Sequence, residues 1–224
     1  MSLIQAIITD KYAMLCSDTK AYTLSGIHVD DCHKIIPIGN GIMFGCTGKV
    51  SDNYELFEDY CECDGIRFSP RNFETSLSYN KVIKRLTSKY DKLERKFNAG
   101  KKYEICSIVC GYNDEKERFE TIIFALHHDK RIKNGIFFYH QSIRSPYKIT
   151  TCGNIYHHAT LDNLAEDTYY DCGDEVTIRQ WKNMFQDVLD DGITFDHTIN
   201  DKADFITIRK VRNADGTIRL KCSN

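Results

Sequence analysis

Proline is scarce in this chain, with three residues in 224, and tryptophan occurs once. No Pro/Gly/Ser-rich stretch divides the sequence, which excludes a flexible or stiff linker between units and gives one domain over residues 1–224. A charge excess of either sign is missing as well: 30 basic residues face 32 acidic ones, for a net charge of −2. The densest basic run, from Lys81 through Lys84, Arg85, Lys89, Lys92 and Arg95 to Lys96, is diluted by Asp91 and Glu94, so neither a nucleic-acid footprint nor a membrane-surface patch is expected. The start lacks the basic stretch and apolar core of a signal peptide. No segment approaches the roughly 18 apolar residues of a membrane span, and the expected location is the cytoplasm.

Cysteine, by contrast, is plentiful at ten residues. In a reducing compartment these read as small apolar residues, and Cys16, Cys46, Cys106 and Cys110 all lie within apolar runs. Cys61 and Cys63 flank one residue with no second close pair, which is weak evidence for zinc. The pairs His127-His128 and His157-His158 do not chelate by themselves, because neighbouring side chains diverge on a strand or a helix. No metal and no cofactor is called for.

Hydrophobic residues make up 42% of the chain, enough for a sizeable core. Short apolar runs at Leu3 to Thr9, Ala13 to Ser17, Ile35 to Ile38 and Gly41 to Cys46, separated by turn formers, predict antiparallel strands. The period then changes: Val50, Tyr54, Phe57 and Cys61 predict a helix, and Tyr79, Val82, Ile83, Leu86, Tyr90, Leu93 and Phe97 a longer one, stopped at Asn98-Ala99-Gly100. Strands are expected at Tyr103 to Gly111, Phe119 to Leu126, Ile136 to His140 and Tyr147 to Thr151. A helix is expected after Gly153 to about Ala165, and another over Ile178, Trp181, Phe185, Val188 and Leu189 to Gly192. Phe205 to Arg209 and Thr217 to Lys221 close the chain as strands. Two antiparallel sheets packed face to face with helices on both outer faces would bury every apolar stripe, so the expected fold is an α+β four-layer αββα sandwich.

A serine directly after Met1 becomes N-terminal once that methionine is removed, and its hydroxyl then lies beside a free α-amine. With an unperturbed pKa of about 8 the amine can accept the hydroxyl proton near neutral pH, so one residue supplies nucleophile and base. Such a site also needs a cation to hold the amine neutral, an acid to orient that cation, and a backbone N–H for the oxyanion. Lys34 at the start of the third strand, Asp18 at the end of the second and Gly48 at the strand-to-helix turn fill these positions.

At these residues the chain resembles the β-type subunits of the proteasome and their bacterial relatives, which are N-terminal-nucleophile hydrolases. Ala13-Met14-Leu15-Cys16-Ser17-Asp18-Thr19-Lys20-Ala21 is similar to the family's apolar strand ending in an acid. His33-Lys34-Ile35-Ile36-Pro37-Ile38 resembles its catalytic-lysine strand, and Phe44-Gly45-Cys46-Thr47-Gly48 its glycine turn. With Ser2 on the family's nucleophilic threonine, all of these fall into register without a gap. The close resemblance runs from the start of the chain to the first helix. Beyond it, Thr150-Thr151-Cys152-Gly153-Asn154 resembles the turn that carries a supporting serine, with Cys152 in the serine's place. Asp196-His197-Thr198-Ile199-Asn200-Asp201 resembles the late acidic segment, with Asp196 kept and the family's serine and glycines replaced.

The resemblance implies a peptidase of the threonine/serine type, assembled into rings and acting on peptide or protein substrates, and leaves any ATPase partner unknown. It assigns catalytic roles to Ser2, Asp18, Lys34 and Gly48 and supporting roles to Cys152 and Asp196. The rival reading is a non-catalytic ring subunit with the same sandwich. Against it, the α-type subunits of that family carry a helix ahead of the first strand, for which this sequence shows no room. A small-molecule amidase is the third reading. No Gly-x-Ser-x-Gly pattern surrounds Cys152, which argues against a nucleophile elbow there.

Overall fold

A computed structural model describes residues 3–22, 28–38, 41–57, 61–64, 67–70, 77–127, 138–144, 147–153, 164, 167–168, 172, 176–194 and 196–223. Its strands are β1 (Ile4–Ile8), β2 (Tyr12–Asp18), β3 (Ala21–Tyr22), β4 (His28–Val29), β5 (Ile35–Pro37), β6 (Ile42–Gly48), β7 (Cys61–Asp64) and β8 (Arg67–Pro70). After them come β9 (Glu104–Asn113), β10 (Arg118–His127), β11 (Phe138–Arg144), β12 (Tyr147–Gly153), β13 (Ala203–Arg212) and β14 (Ile218–Ser223). The helices are α1 (Val50–Phe57), α2 (Tyr79–Asn98) and α3 (Ile178–Gly192).

A six-stranded sheet has the order β11-β12-β1-β2-β13-β14, and a four-stranded sheet the order β10-β9-β6-β5. The pairs β3-β4 and β7-β8 form two small ribbons. Every residue of β1 and β2 is buried, because both faces of these central strands are covered. Alternation sorts their side chains. Leu3, Ile7, Met14 and Cys16 join a cluster with Trp181, Phe185, Val188 and Leu189 of α3, while Ile4, Ala6, Ala13 and Leu15 join Met43, Cys106, Ile108 and Cys110 between the sheets. Ile42, Phe44, Ile105 and Val109 meet Tyr79, Val82, Leu86 and Leu93 of α2. Gly45 leaves no room for a side chain between the sheets: a Cβ there would stand 2.9 Å from the Ile35 side chain and 3.2 Å from those of Ile4 and Leu15.

The helices follow from their sequence. Tyr79, Val82, Leu86 and Leu93 recur at helical spacing and are the buried residues of α2. A capping box starts α3, in which the Thr177 hydroxyl accepts from the Gln180 N–H and the Gln180 side chain accepts from the Thr177 N–H.

The four-layer αββα sandwich expected from the sequence is corrected. The described structure is predominantly strand, and its only long helices, among the described residues, are α2 with 20 residues and α3 with 15, so a full helical layer does not lie on both faces. The expectation counted four helices from apolar periods, and the first of them, α1, ends at Phe57, short of its expected end. Cys61, read as the last turn of the first helix, lies in β7. The helix expected after Gly153 lies almost wholly outside the described residues. Strand content was undercounted in turn, because ladders run past the apolar runs into polar residues such as Asn113, Arg118 and Arg212. The ribbons β3-β4 and β7-β8 were not expected at all, being too short and polar to show a period.

Candidate functional site

Antiparallel pairing folds the start of β1 beside the end of β2, with Ile4 opposite Ser17. The open end of this hairpin is tied further by the Asp18 N–H donating to the Leu3 carbonyl at 3.2 Å. β13 flanks the same end, with Ala203 opposite Asp18. From the other sheet comes the segment before β5. The Cys46 N–H donates to the Lys34 carbonyl at 3.1 Å, which ties Lys34 to β6 two residues before Gly48.

These constraints bring Asp18 and Lys34 together. Lys34 Nζ lies 2.5 Å from Asp18 Oδ2, and the two side chains are 5% and 0% exposed. The same carboxylate takes two backbone donors: the Leu3 N–H reaches Oδ1 at 2.8 Å and the Lys20 N–H reaches Oδ2 at 3.1 Å. Burial pushes the Asp18 carboxyl above the ordinary aspartate range, while the Lys34 ammonium, its hydrogen bond and the Leu3 and Lys20 amides pull the other way. A buried charge held by three donors is the form in which such a group is tolerated inside a protein.

Gly48 ends β6 with φ +90°, a conformation that favours glycine. A Cβ at this position would stand 2.5 Å from the Glu104 carbonyl oxygen, so the turn into α1 admits no side chain. Ser2 lies outside the described residues; the nearest described atoms are those of Leu3, whose amide is the link to Ser2.

The two supporting residues are placed differently from each other. Cys152 lies on β12 opposite Ile4 and is fully buried between the sheets. Burial, and after it the neighbouring Cys106 thiol, push its own thiol well above the ordinary cysteine range. Asp196 is buried too, and its Oδ1 accepts from the Thr198 N–H at 2.9 Å and the Thr198 hydroxyl at 2.5 Å.

One residue of the late segment has a role that sequence reasoning missed. Asn200 Oδ1 accepts from the Thr19 N–H at 3.1 Å, and its Nδ2 donates to the Thr19 hydroxyl at 3.0 Å and the Asp30 carbonyl at 3.2 Å. It thereby fixes the residue next to Asp18. The available signal was chemical: an amide side chain, unlike glycine, can satisfy a donor and an acceptor at once.

Among the described residues, no group of three or more His, Cys, Asp or Glu side chains could hold a metal. His128, His157 and His158 lie outside them, as do the side chains of Cys61, Cys63 and His127. No described helix is long and apolar enough to cross a membrane. No protein-family model matches this chain, and no curated protein matches it significantly.

Proposed function

We propose that the chain is an amide-bond hydrolase of the N-terminal-nucleophile kind, with peptides as its substrates and Ser2, freed by removal of Met1, as nucleophile. One observation carries this reading. The amide that joins Leu3 to Ser2 donates to Asp18 at 2.8 Å, and the same carboxylate holds the Lys34 ammonium at 2.5 Å. The chain's second residue is thus covalently attached to an atom anchored on a buried carboxylate–ammonium pair.

In the reaction the Ser2 α-amine takes the hydroxyl proton as Oγ attacks the substrate carbonyl, and returns it to the leaving amine. Lys34 contributes a fixed positive charge that keeps the α-amine unprotonated at neutral pH, since a like charge nearby lowers an amine's pKa. Asp18 orients that ammonium. The Gly48 backbone N–H is assigned to the oxyanion, where a positioned donor is worth about 100-fold or more in rate. Asn200 holds Thr19 beside Asp18, and Asp196 holds the turn of its own segment through Thr198.

The test is the intact mass of the protein before and after incubation with a β-lactone or epoxyketone, with Ser2→Ala as control. Loss of Met1 and a single adduct that disappears in the control are expected. Retention of Met1 without an adduct would leave a non-catalytic subunit as the reading; labelling without peptide cleavage would point to a small-molecule amidase.

A further inference from the structure

The other end of β2 carries a feature that the hydrolytic reading does not use. Where the β1–β2 turn meets β13 and the start of α3, a cavity of about 580 Å³ opens. That size is typical of small-molecule sites. Five of its lining residues, Lys11, Arg179, Lys182, Arg209 and Lys210, are cationic, and no carboxylate lines it. In a chain of net charge −2, five like charges around one concavity run against the overall sign and repel one another. Among the described residues none of the five forms an ion pair with a carboxylate. Lys182 and Lys210 instead lie 4.7 and 5.3 Å from the ring centroids of Phe205 and Tyr112.

The placement of two of these cations is electrostatically wrong for stability alone. α3 has no acid in its first turn, and Arg179 stands there with Lys182 just beyond. A helix N-terminus favours anions and disfavours cations. The capping box accounts for the Gln180 amide, while the amides at the first two helical positions have no partner within the helix. Tyr12, Ile178 and Val211 give the cavity an apolar side, and Tyr12 is held by its phenol donating to the Val176 carbonyl at 3.0 Å. A bound anion would offset the mutual repulsion of the five cations and complement the helix end, and an apolar or flat group on that anion would cover the Tyr12 side.

We propose that this cavity binds a small phosphate-bearing molecule, with Lys11, Arg179 and Arg209 gripping the phosphate groups. Six residue-to-residue steps along β2 take Tyr12 to Asp18, about 20 Å at the usual strand rise, so the site is distinct from the one around Ser2.

Isothermal titration of the full chain with inorganic tripolyphosphate and with adenosine triphosphate tests this. The comparison proteins are an Arg179→Ala/Arg209→Ala double variant and Lys92→Ala on the exposed face of α2. Saturable binding of either compound is expected, weakened at least 10-fold in the double variant, unchanged in Lys92→Ala and reduced by added salt. Equal affinities would mean that the phosphates alone are read; tighter binding of the nucleotide would mean that the apolar side is used too. Absence of saturable binding, an affinity unchanged in the double variant, or tighter binding of an oligoglutamate peptide than of either phosphate compound would overturn the proposal. Arg179 and Arg209 are exposed, so the double variant is expected to fold, and its circular dichroism spectrum checks that.

Discussion

Two lysine–carboxylate pairs of nearly equal length differ in almost everything else. Lys34 meets Asp18 at 2.5 Å with both side chains buried, while Lys101 meets Glu55 at 2.6 Å with side chains 46% and 33% exposed. Distance alone would rank them together. Water makes the difference: the exposed pair is screened and each partner has solvent as an alternative, whereas each buried partner has only the other and a few fixed donors. Breaking the inner pair therefore leaves a charge with nowhere to go. A protein keeps such an arrangement at a cost, and apolar residues of equal volume are often at least as stable, so stability alone does not explain its presence. On the reading proposed above, its attachment through the Leu3 amide to the second residue of the chain does.

The sharpest way to break the comparison is to remove one inner partner. Asp18→Asn or Lys34→Ala is expected to lose about 3–5 kcal/mol in urea unfolding, because the remaining group is stranded. A loss below about 1 kcal/mol would put the inner pair in the class of the outer one. Replacing both, as Asp18→Leu with Lys34→Met, should recover most of that stability and still abolish hydrolysis, separating the chemical role from the structural one.

Asn200→Ala comes next. It removes the donor and acceptor that hold Thr19, and about 1–3 kcal/mol is the usual cost of leaving such buried groups unmet. Thermal unfolding measures it, and the same variant should slow hydrolysis by loosening the turn beside Asp18.

Glu120 lies between the two extremes. Burial alone would raise its carboxyl, but hydrogen bonds from Asn113, Lys116 and Arg118, with the charge of Lys116, bring it down to about 2. A depressed carboxyl stabilises above its unfolded value near 4.5 and loses that contribution as pH falls through the folded value. Glu120→Gln should therefore cost about 1–2 kcal/mol at pH 7, allowing for partial screening, and the gap from the parent protein should close between pH 4.5 and 2. Urea unfolding across that range checks the sign. At the small end, Lys101→Gln should leave the melting midpoint unchanged within error.

How much of this was legible in the sequence depended on the range of the interaction. The strands at Ile4–Ile8, Tyr12–Asp18 and Ile42–Gly48, like the helices at Tyr79–Asn98 and Ile178–Gly192, carry their period in neighbouring residues and lie within a few positions of the expected bounds. Layering was misread, since periodicity does not say how far polar residues extend a ladder, and Cys61 fits a helical stripe as readily as it fits β7. At the site, Asp18 and Lys34 were identifiable from their places at strand ends together with the family resemblance. The anchoring of Leu3 on Asp18 and of Thr19 by Asn200 was not, because the first uses a main-chain donor that every residue carries and the second spans 181 positions. The basic cavity is equally invisible in one dimension, since Lys11, Arg179 and Arg209 meet only once β1, β2, β13 and α3 are assembled.

The central claim is that the buried pair serves a nucleophile at Ser2. The most direct measurement is the rate of covalent labelling by a β-lactone, followed by intact mass, for the parent protein, Ser2→Ala and the Asp18→Leu/Lys34→Met variant after each is shown to be folded. The account predicts one adduct on the parent lacking Met1, none on Ser2→Ala, and labelling slowed about 100-fold or more in the double variant. Labelling of the double variant at the parent rate would contradict it, because Ser2 would then be reacting without the pair.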